Sequence, residues 1–262
     1  MTGSGNDFVF IDESTQATTG LDTPDSIRRI CSRTDGVGAD GVVFLRHGGS
    51  DGTAIRYYNC DGSRGELCGN ASLCTANLSV QLGLGGAGGF TFGTDVGQMQ
   101  ARIVNGSPEI DLQPVSDVAA NAGISLERGE LRIGYANTGV PHLVVLVSDA
   151  EAVNLAARGA PLRHHPTLSA GANVNFVAKT AAGWRMRTYE RGVEGETLAC
   201  GTGAVACAIM LASWGLAEDG SVDLLTSSGR TLTVSLGRRP DGYSPSLRGE
   251  GRIVFTGHLV DL

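Results

Sequence analysis

Two cysteines stand in matching surroundings, Glu66-Leu67-Cys68-Gly69-Asn70-Ala71-Ser72 in the first half of the chain and Leu198-Ala199-Cys200-Gly201-Thr202-Gly203-Ala204 in the second. In both, the thiol precedes a glycine, a polar residue and a low-charge apolar stretch that reads as a helix. A thiol at a helix N-terminus has its thiolate stabilised by unpaired backbone N–H groups and by the helix dipole. One such thiol in each half points to a pair of acid/base groups acting on one substrate.

The remaining chemistry-bearing residues read more plainly. Cys31, Cys60, Cys74 and Cys207 are expected to be small apolar fillers. His164-His165 lie in an expected loop without zinc-ligand spacing, so no metal is expected. The Gly-x-Gly stretches at 3–5 and 201–203 do not follow the dinucleotide pattern. Lys179 is the single lysine and has no phosphate-binding loop near it, so a pyridoxal Schiff base, and with it any cofactor, is not expected.

The elements that must position the thiols follow from periodicity. Strands are expected at Phe8–Ile11, Gly41–Leu45, Ile55–Tyr58, Gly89–Phe92, Gln98–Val104, Leu131–Tyr135 and His142–Val147. Others are expected at Asn173–Val177, Trp184–Tyr189, Val222–Thr226, Thr231–Leu236 and Arg252–Leu259. Thr23 followed by Pro24 predicts a helix running to about Ser32. The principal helices, Asn70–Leu82 and Thr202–Trp214, are rich in small and apolar residues, and low charge all round implies burial on most sides.

Each principal helix is preceded by a polar glycine turn and followed by two strands, so the chain reads as an internal duplication. The expected fold class is α+β, with two pseudo-symmetric domains, each a mostly antiparallel sheet around a central helix. The best linker is Leu112–Val118, placing one domain at 1–113, completed by 254–262, and the other at 114–253. The active site is expected in the cleft between them.

At 262 residues, 41% hydrophobic and 18% charged, the chain is globular. Its net charge of −7 and scattered basic residues argue against nucleic acid or a membrane surface as partner. With no span-length apolar run and no leader-like N-terminus, the expectation is a cytoplasmic protein with free thiols.

Seven stretches together resemble the diaminopimelate epimerase family, the pyridoxal-independent isomerases of lysine and peptidoglycan precursor synthesis. They are Gly3–Phe8, Gly36–Gly41, Asn59–Ser63, Cys68-Gly69-Asn70, Pro141-His142, Gly171–Val174 and Tyr189–Gly192 continuing from Gly195 to Gly203, in the family's order. The resemblance implies two β-barrel-like domains around central helices, a homodimer, and an amino-acid substrate. It implies that Cys68 and Cys200, as thiolate and thiol, invert one α-carbon of LL-diaminopimelate to give the meso form. Gly69, Asn70, Gly201 and Thr202 are implied as binders of the reacting α-carboxylate through helix N-termini. Asn6, Asn59, Asn173 and Arg191 are implied at the distal end of the substrate, with His142 and Glu190 as an auxiliary pair beside the thiols.

The chain departs from the family in three places. Ala71-Ser72-Leu73 stands where Gly-x-Arg is usual, Val140 stands where asparagine is common before Pro141, and Glu194 lengthens the turn before Cys200. Two other readings compete: a cofactor-independent two-thiol racemase of another amino acid, and a non-catalytic thiol protein that senses redox state or binds metal through Cys68 and Cys200.

Overall fold

The structure, a computed structural model, describes residues 1–14, 18–49, 52–65, 67–217 and 220–260; Glu66 of the first cysteine stretch and the chain end at 261–262 lie outside these. The chain forms two compact units, Met1–Ile110 with Arg248–Leu262, and Asp111–Leu247.

The first unit contains β1 (Thr2–Gly3), β2 (Asn6–Asp12), α1 (Pro24–Cys31), β3 (Gly41–Gly49), β4 (Gly52–Asn59), β5 (Arg64–Gly65), α2 (Gly69–Gln81), β6 (Phe90–Thr94), β7 (Gly97–Val104) and β8 (Ser107–Asp111). The second contains β9 (Val118–Ala119), β10 (Glu130–Asn137), β11 (Pro141–Val147), α3 (Leu155–Arg163), β12 (Asn173–Thr180), β13 (Gly183–Glu190) and β14 (Gly195–Thr197). It continues with α4 (Gly201–Ser213), β15 (Ser221–Leu225), β16 (Thr231–Arg239) and β17 (Gly242–Arg248).

The duplication is explicit in the pairing. In the first unit β2 crosses through α1 to parallel β3, β3 pairs antiparallel with β4, β4 pairs with β5 and β6, and β6 with β7. In the second, β11 crosses through α3 to parallel β12, β12 pairs antiparallel with β13, β13 pairs with β14 and β15, and β15 with β16. The central helices agree in detail. Both have thirteen residues and an extended cysteine N-cap, Cys68 at φ −129°, ψ 115° and Cys200 at φ −135°, ψ 109°. Both end at a glycine in the left-handed region, Gly83 at φ 72° and Gly215 at φ 68°, where a side chain would be strained.

Alternation along the strands assigns each sheet face. In the second unit Leu143, Val145, Val174 and Phe176 pack with Leu155 and Leu162 of α3. The opposite face carries α4, whose residues from Gly203 to Leu211 are buried. Gly134 of β10 lets the sheet pass beneath this helix, since a Cβ there would come within 2.2 Å of Met210 Sδ. In the first unit Ile11, Val42 and Phe44 pack with Ile27 and Ile30 of α1.

Thr23 caps α1 by accepting from the Ser26 amide at 3.2 Å, with Pro24 at its first position, as the sequence predicts. Three expectations are corrected. Arg252–Leu259 is not a strand: Arg252 alone bridges to Thr2, and the apolar Val254, Phe255 and Leu259 that suggest a strand are exposed. The sequence reading lacks α3, β8 and β17, because Pro161, Pro108 and Pro245 interrupt their patterns. Cys60 is exposed at the end of β4 and fills no core, whereas Cys31, Cys74 and Cys207 are buried. No helix among the described residues is long and apolar enough to cross a membrane.

Candidate active site

In the first unit Cys68 is the residue before α2, with no side chain capping the helix and no acidic residue in its first turn, so the thiol stands at the positive end of the helix. The half-buried Cys68 lines a small cavity with Tyr57, Ala71 and Ser72. The Tyr57 phenol is held well above its ordinary range, first by burial and then by Cys68, to which it is hydrogen-bonded. Ser72 Oγ is buried without a partner.

A polar chain fixes the first turn of α2. Asn70 Nδ2 donates to Asn6 Oδ1 at 2.7 Å, and Asn6 Nδ2 donates to Asp40 Oδ2 at 2.9 Å. Arg33 donates to both Asp7 oxygens and to Asp40 Oδ1, each at 2.9 Å, and its hydrogen bond holds the Asp7 carboxyl below the usual carboxylate range. Asn6 is therefore oriented from both ends of its amide. Asn59 donates to Ser63 Oγ at 3.0 Å in the turn after β4.

In the second unit Cys200 occupies the equivalent N-cap of α4, buried, with its Sγ 3.5 Å from Thr202 Oγ1 and Gly201 as the first helical residue. Asn173 Oδ1 accepts from the Arg191 amide at 2.8 Å, and Arg191 Nη1 donates to Ala170 O at 3.2 Å. Glu190 accepts from Thr197 Oγ1 at 2.6 Å. Glu194 takes a left-handed conformation, φ 55°, returns its amide to Glu190 O at 2.9 Å, and pairs with Arg163 at 3.0 Å. The extra residue in this turn thus has a defined place beside the end of β13.

His142 is fully buried, and its pKa is lowered to about 3, first by burial and then by the Arg191 charge. It is a neutral imidazole at ordinary pH. Its Nδ1 lies 3.0 Å from Asn175 Nδ2, and its Nε2 has no partner. Asn175 is the residue that sequence reasoning missed, although it stands two positions after Asn173 on a strand and so shares its face. In the sequence Tyr57 and Thr188 read only as strand residues, and Asp40 and Thr197 only as members of the stretches that resemble the family.

Burial pushes the Cys31 and Cys74 thiols up to about 12, and Cys207 is raised as well. These three remain protonated at ordinary pH. Lys179 stands at the exposed end of β12 with its ammonium 4.8 Å from the Trp184 ring centroid. No cluster of three metal-ligating side chains occurs among the described residues.

The duplicated α+β fold has structural counterparts. A phenazine biosynthesis protein of the PhzF family from Bacillus anthracis is similar at a TM-score of 0.69 and 16% identity, over 95% of this chain and 91% of that one. A hydroxyproline epimerase from Agrobacterium vitis is similar at 0.60 and 19%, over 95% and 87%. The fold is therefore one that this chain shares with these proteins.

The sequence comparisons are narrower. The diaminopimelate epimerase family model matches residues 1–115 and 134–237. Diaminopimelate epimerase from Gemmatimonas aurantiaca is 47% identical over 100% of this chain and 98% of its own length, and that from Aquifex aeolicus is 37% identical over 99% and 96%. The chain belongs to the diaminopimelate epimerase family and is an isomerase.

Proposed function

We propose that the protein interconverts LL- and meso-diaminopimelate without pyridoxal phosphate, in lysine and peptidoglycan precursor synthesis. The observation that carries the reading is the repetition of one arrangement, a cysteine N-cap of nearly the same backbone geometry ahead of a buried thirteen-residue helix in each half. The full-length likeness to diaminopimelate epimerases supports the substrate.

In this reading one cysteine, as thiolate, removes the α-proton and becomes a thiol. The other, as thiol, gives its proton to the opposite face of the carbanion and becomes a thiolate. Two groups are needed because a single base returns the proton to the face it left. The amides that open α2 and α4 bind the α-carboxylate and spread the developing charge, an effect strengthened by exclusion of water. Arg191 takes the distal carboxylate through its planar fork, with Asn6, Asn59 and Asn173 around the distal amino acid. His142 and Glu190 serve beside the thiols. A cytoplasmic homodimer is the working form.

The test is solvent deuterium incorporation at the α-carbon across a panel of amino acids. LL-diaminopimelate is expected to exchange and epimerise, whereas amino acids without a distal carboxylate are not, because Arg191 then lacks its partner. No exchange with LL-diaminopimelate, together with exchange of another amino acid, would replace this reading by the racemase one.

A further inference from the structure

The same three-strand register occurs once in each half, with opposite chemistry. In the first unit Phe8 pairs with Gly41 across β2 and β3, and Val43 pairs with Tyr57 across β3 and β4. In the second His142 pairs with Asn173 across β11 and β12, and Asn175 pairs with Thr188 across β12 and β13. The positions held by Phe8, Val43 and Tyr57 in one half are thus held by His142, Asn175 and Thr188 in the other. Phe8 and Tyr57 pack edge to face with centroids 6.1 Å apart. The fold closes with apolar and aromatic residues at these positions, so the buried polar set is not required by the fold. Burying polar groups is costly unless they are hydrogen-bonded.

The polar set is almost fully satisfied, which defines its protonation. Asn175 is completely buried; its Oδ1 accepts from Thr188 Oγ1 at 2.9 Å and its Nδ2 donates to Leu143 O at 3.1 Å. A carbonyl can only accept, so the amide nitrogen, not the oxygen, faces that side. The second proton on Nδ2 points to His142 Nδ1 at 3.0 Å, which makes Nδ1 an acceptor and leaves the imidazole proton on Nε2. That Nε2–H is the single buried polar atom of the set without a partner. The set lies against the first turn of α4: a Cβ on Gly203 would fall 2.4 Å from Asn175 Oδ1 and 3.2 Å from Cys200 Sγ.

We infer that Asn175 is a positioning residue, which locks His142 in the Nε2–H tautomer and so presents a neutral hydrogen-bond donor to an anionic oxygen of the substrate. In this role His142 holds substrate and relays no proton. The inference rests on the proposed epimerase reading for the identity of the substrate, but not for the tautomer. Arg191, just after the end of β13, is the charged group that acts on the imidazole, and Cys200 lies with Asn175 against the first turn of α4.

The test is nitrogen-15 NMR of the histidine-labelled protein, assigned with a His142→Gln variant, alongside kinetics. His142 is expected to show a bare, pyridine-like Nδ1 and a protonated Nε2, constant from about pH 5 to 8, with Nε2 shifted by LL-diaminopimelate. In Asn175→Asp the new carboxylate accepts from Nδ1, so the proton pattern reverses and the imidazole titrates in the neutral range. A misoriented donor is then expected to lower kcat by about 100-fold and to add an ionisation to the pH profile. A protonated Nδ1 in the wild-type protein would overturn the inference, whatever the variant does. So would an Asn175→Asp enzyme with unchanged kcat and pH profile. A bare Nδ1 in a protein inactive on LL-diaminopimelate would uphold the tautomer and refute only the epimerase reading.

Discussion

Cys68 and Cys200 share a backbone setting but differ in side-chain company. Cys68 is hydrogen-bonded to a phenol, while Cys200 lies near the Thr202 hydroxyl and the His142–Asn175–Thr188 set. This asymmetry suits two groups that carry the same proton chemistry toward opposite faces of one carbon. His142 has a consequence for stability as well as for substrate. Its pKa in the folded protein, about 3, lies below the ordinary 6.5, so between these values the unfolded chain holds a proton that the folded one does not. Stability contributed by the neutral imidazole is present above pH 6.5 and is lost as pH falls, by at most about 1.4 kcal/mol per pH unit. Urea unfolding of wild type and His142→Gln from pH 7 to pH 4 checks this: the wild type is expected to lose more stability on acidification. Parallel losses would remove His142 as the cause.

The two central helices show why one position differs between the halves. Gly203 stands three residues after Cys200 and Ala71 three after Cys68, where the family usually has glycine. Asn175 crowds Gly203, but its counterpart in the first unit is Val43, and Ala71 is accommodated there, buried. Gly203→Ala is expected to displace an amide pinned by three hydrogen bonds, lowering activity at least tenfold and costing about 1–3 kcal/mol. Thermal unfolding and initial rates measure both. Thr23→Ala removes the cap of α1 and should cost about 1 kcal/mol without changing kcat. At this scale the sequence was legible wherever pattern and cap agreed, as at α1, α2 and α4. It was silent at α3, whose Pro161 and weak amphipathicity hide a helix that the repeat itself would have supplied opposite α1. Likewise Asn173 was found through its motif, while Asn175 needed the register with β11 and β13 to acquire a partner. The Arg252–Leu259 run misled because strand composition does not create a strand without an edge to join.

At the scale of the whole molecule, the duplication gives each compact unit one helix-start thiol and its own polar support. In the proposed reaction both thiols act on one α-carbon, so a disulfide joining them would take the substrate's place. Mild oxidation is therefore expected to form a Cys68–Cys200 disulfide that abolishes activity and is reversed by a dithiol; peptide mapping of the oxidised protein identifies the linkage. The most direct measurement is epimerisation of LL-diaminopimelate in deuterated water by the wild type and by Cys68→Ala and Cys200→Ala. The wild type is expected to yield meso product carrying solvent deuterium at the inverted carbon, and each variant to lose epimerisation by several orders of magnitude while remaining folded. Full epimerase activity in either variant would remove that thiol from the reaction and contradict the two-thiol account.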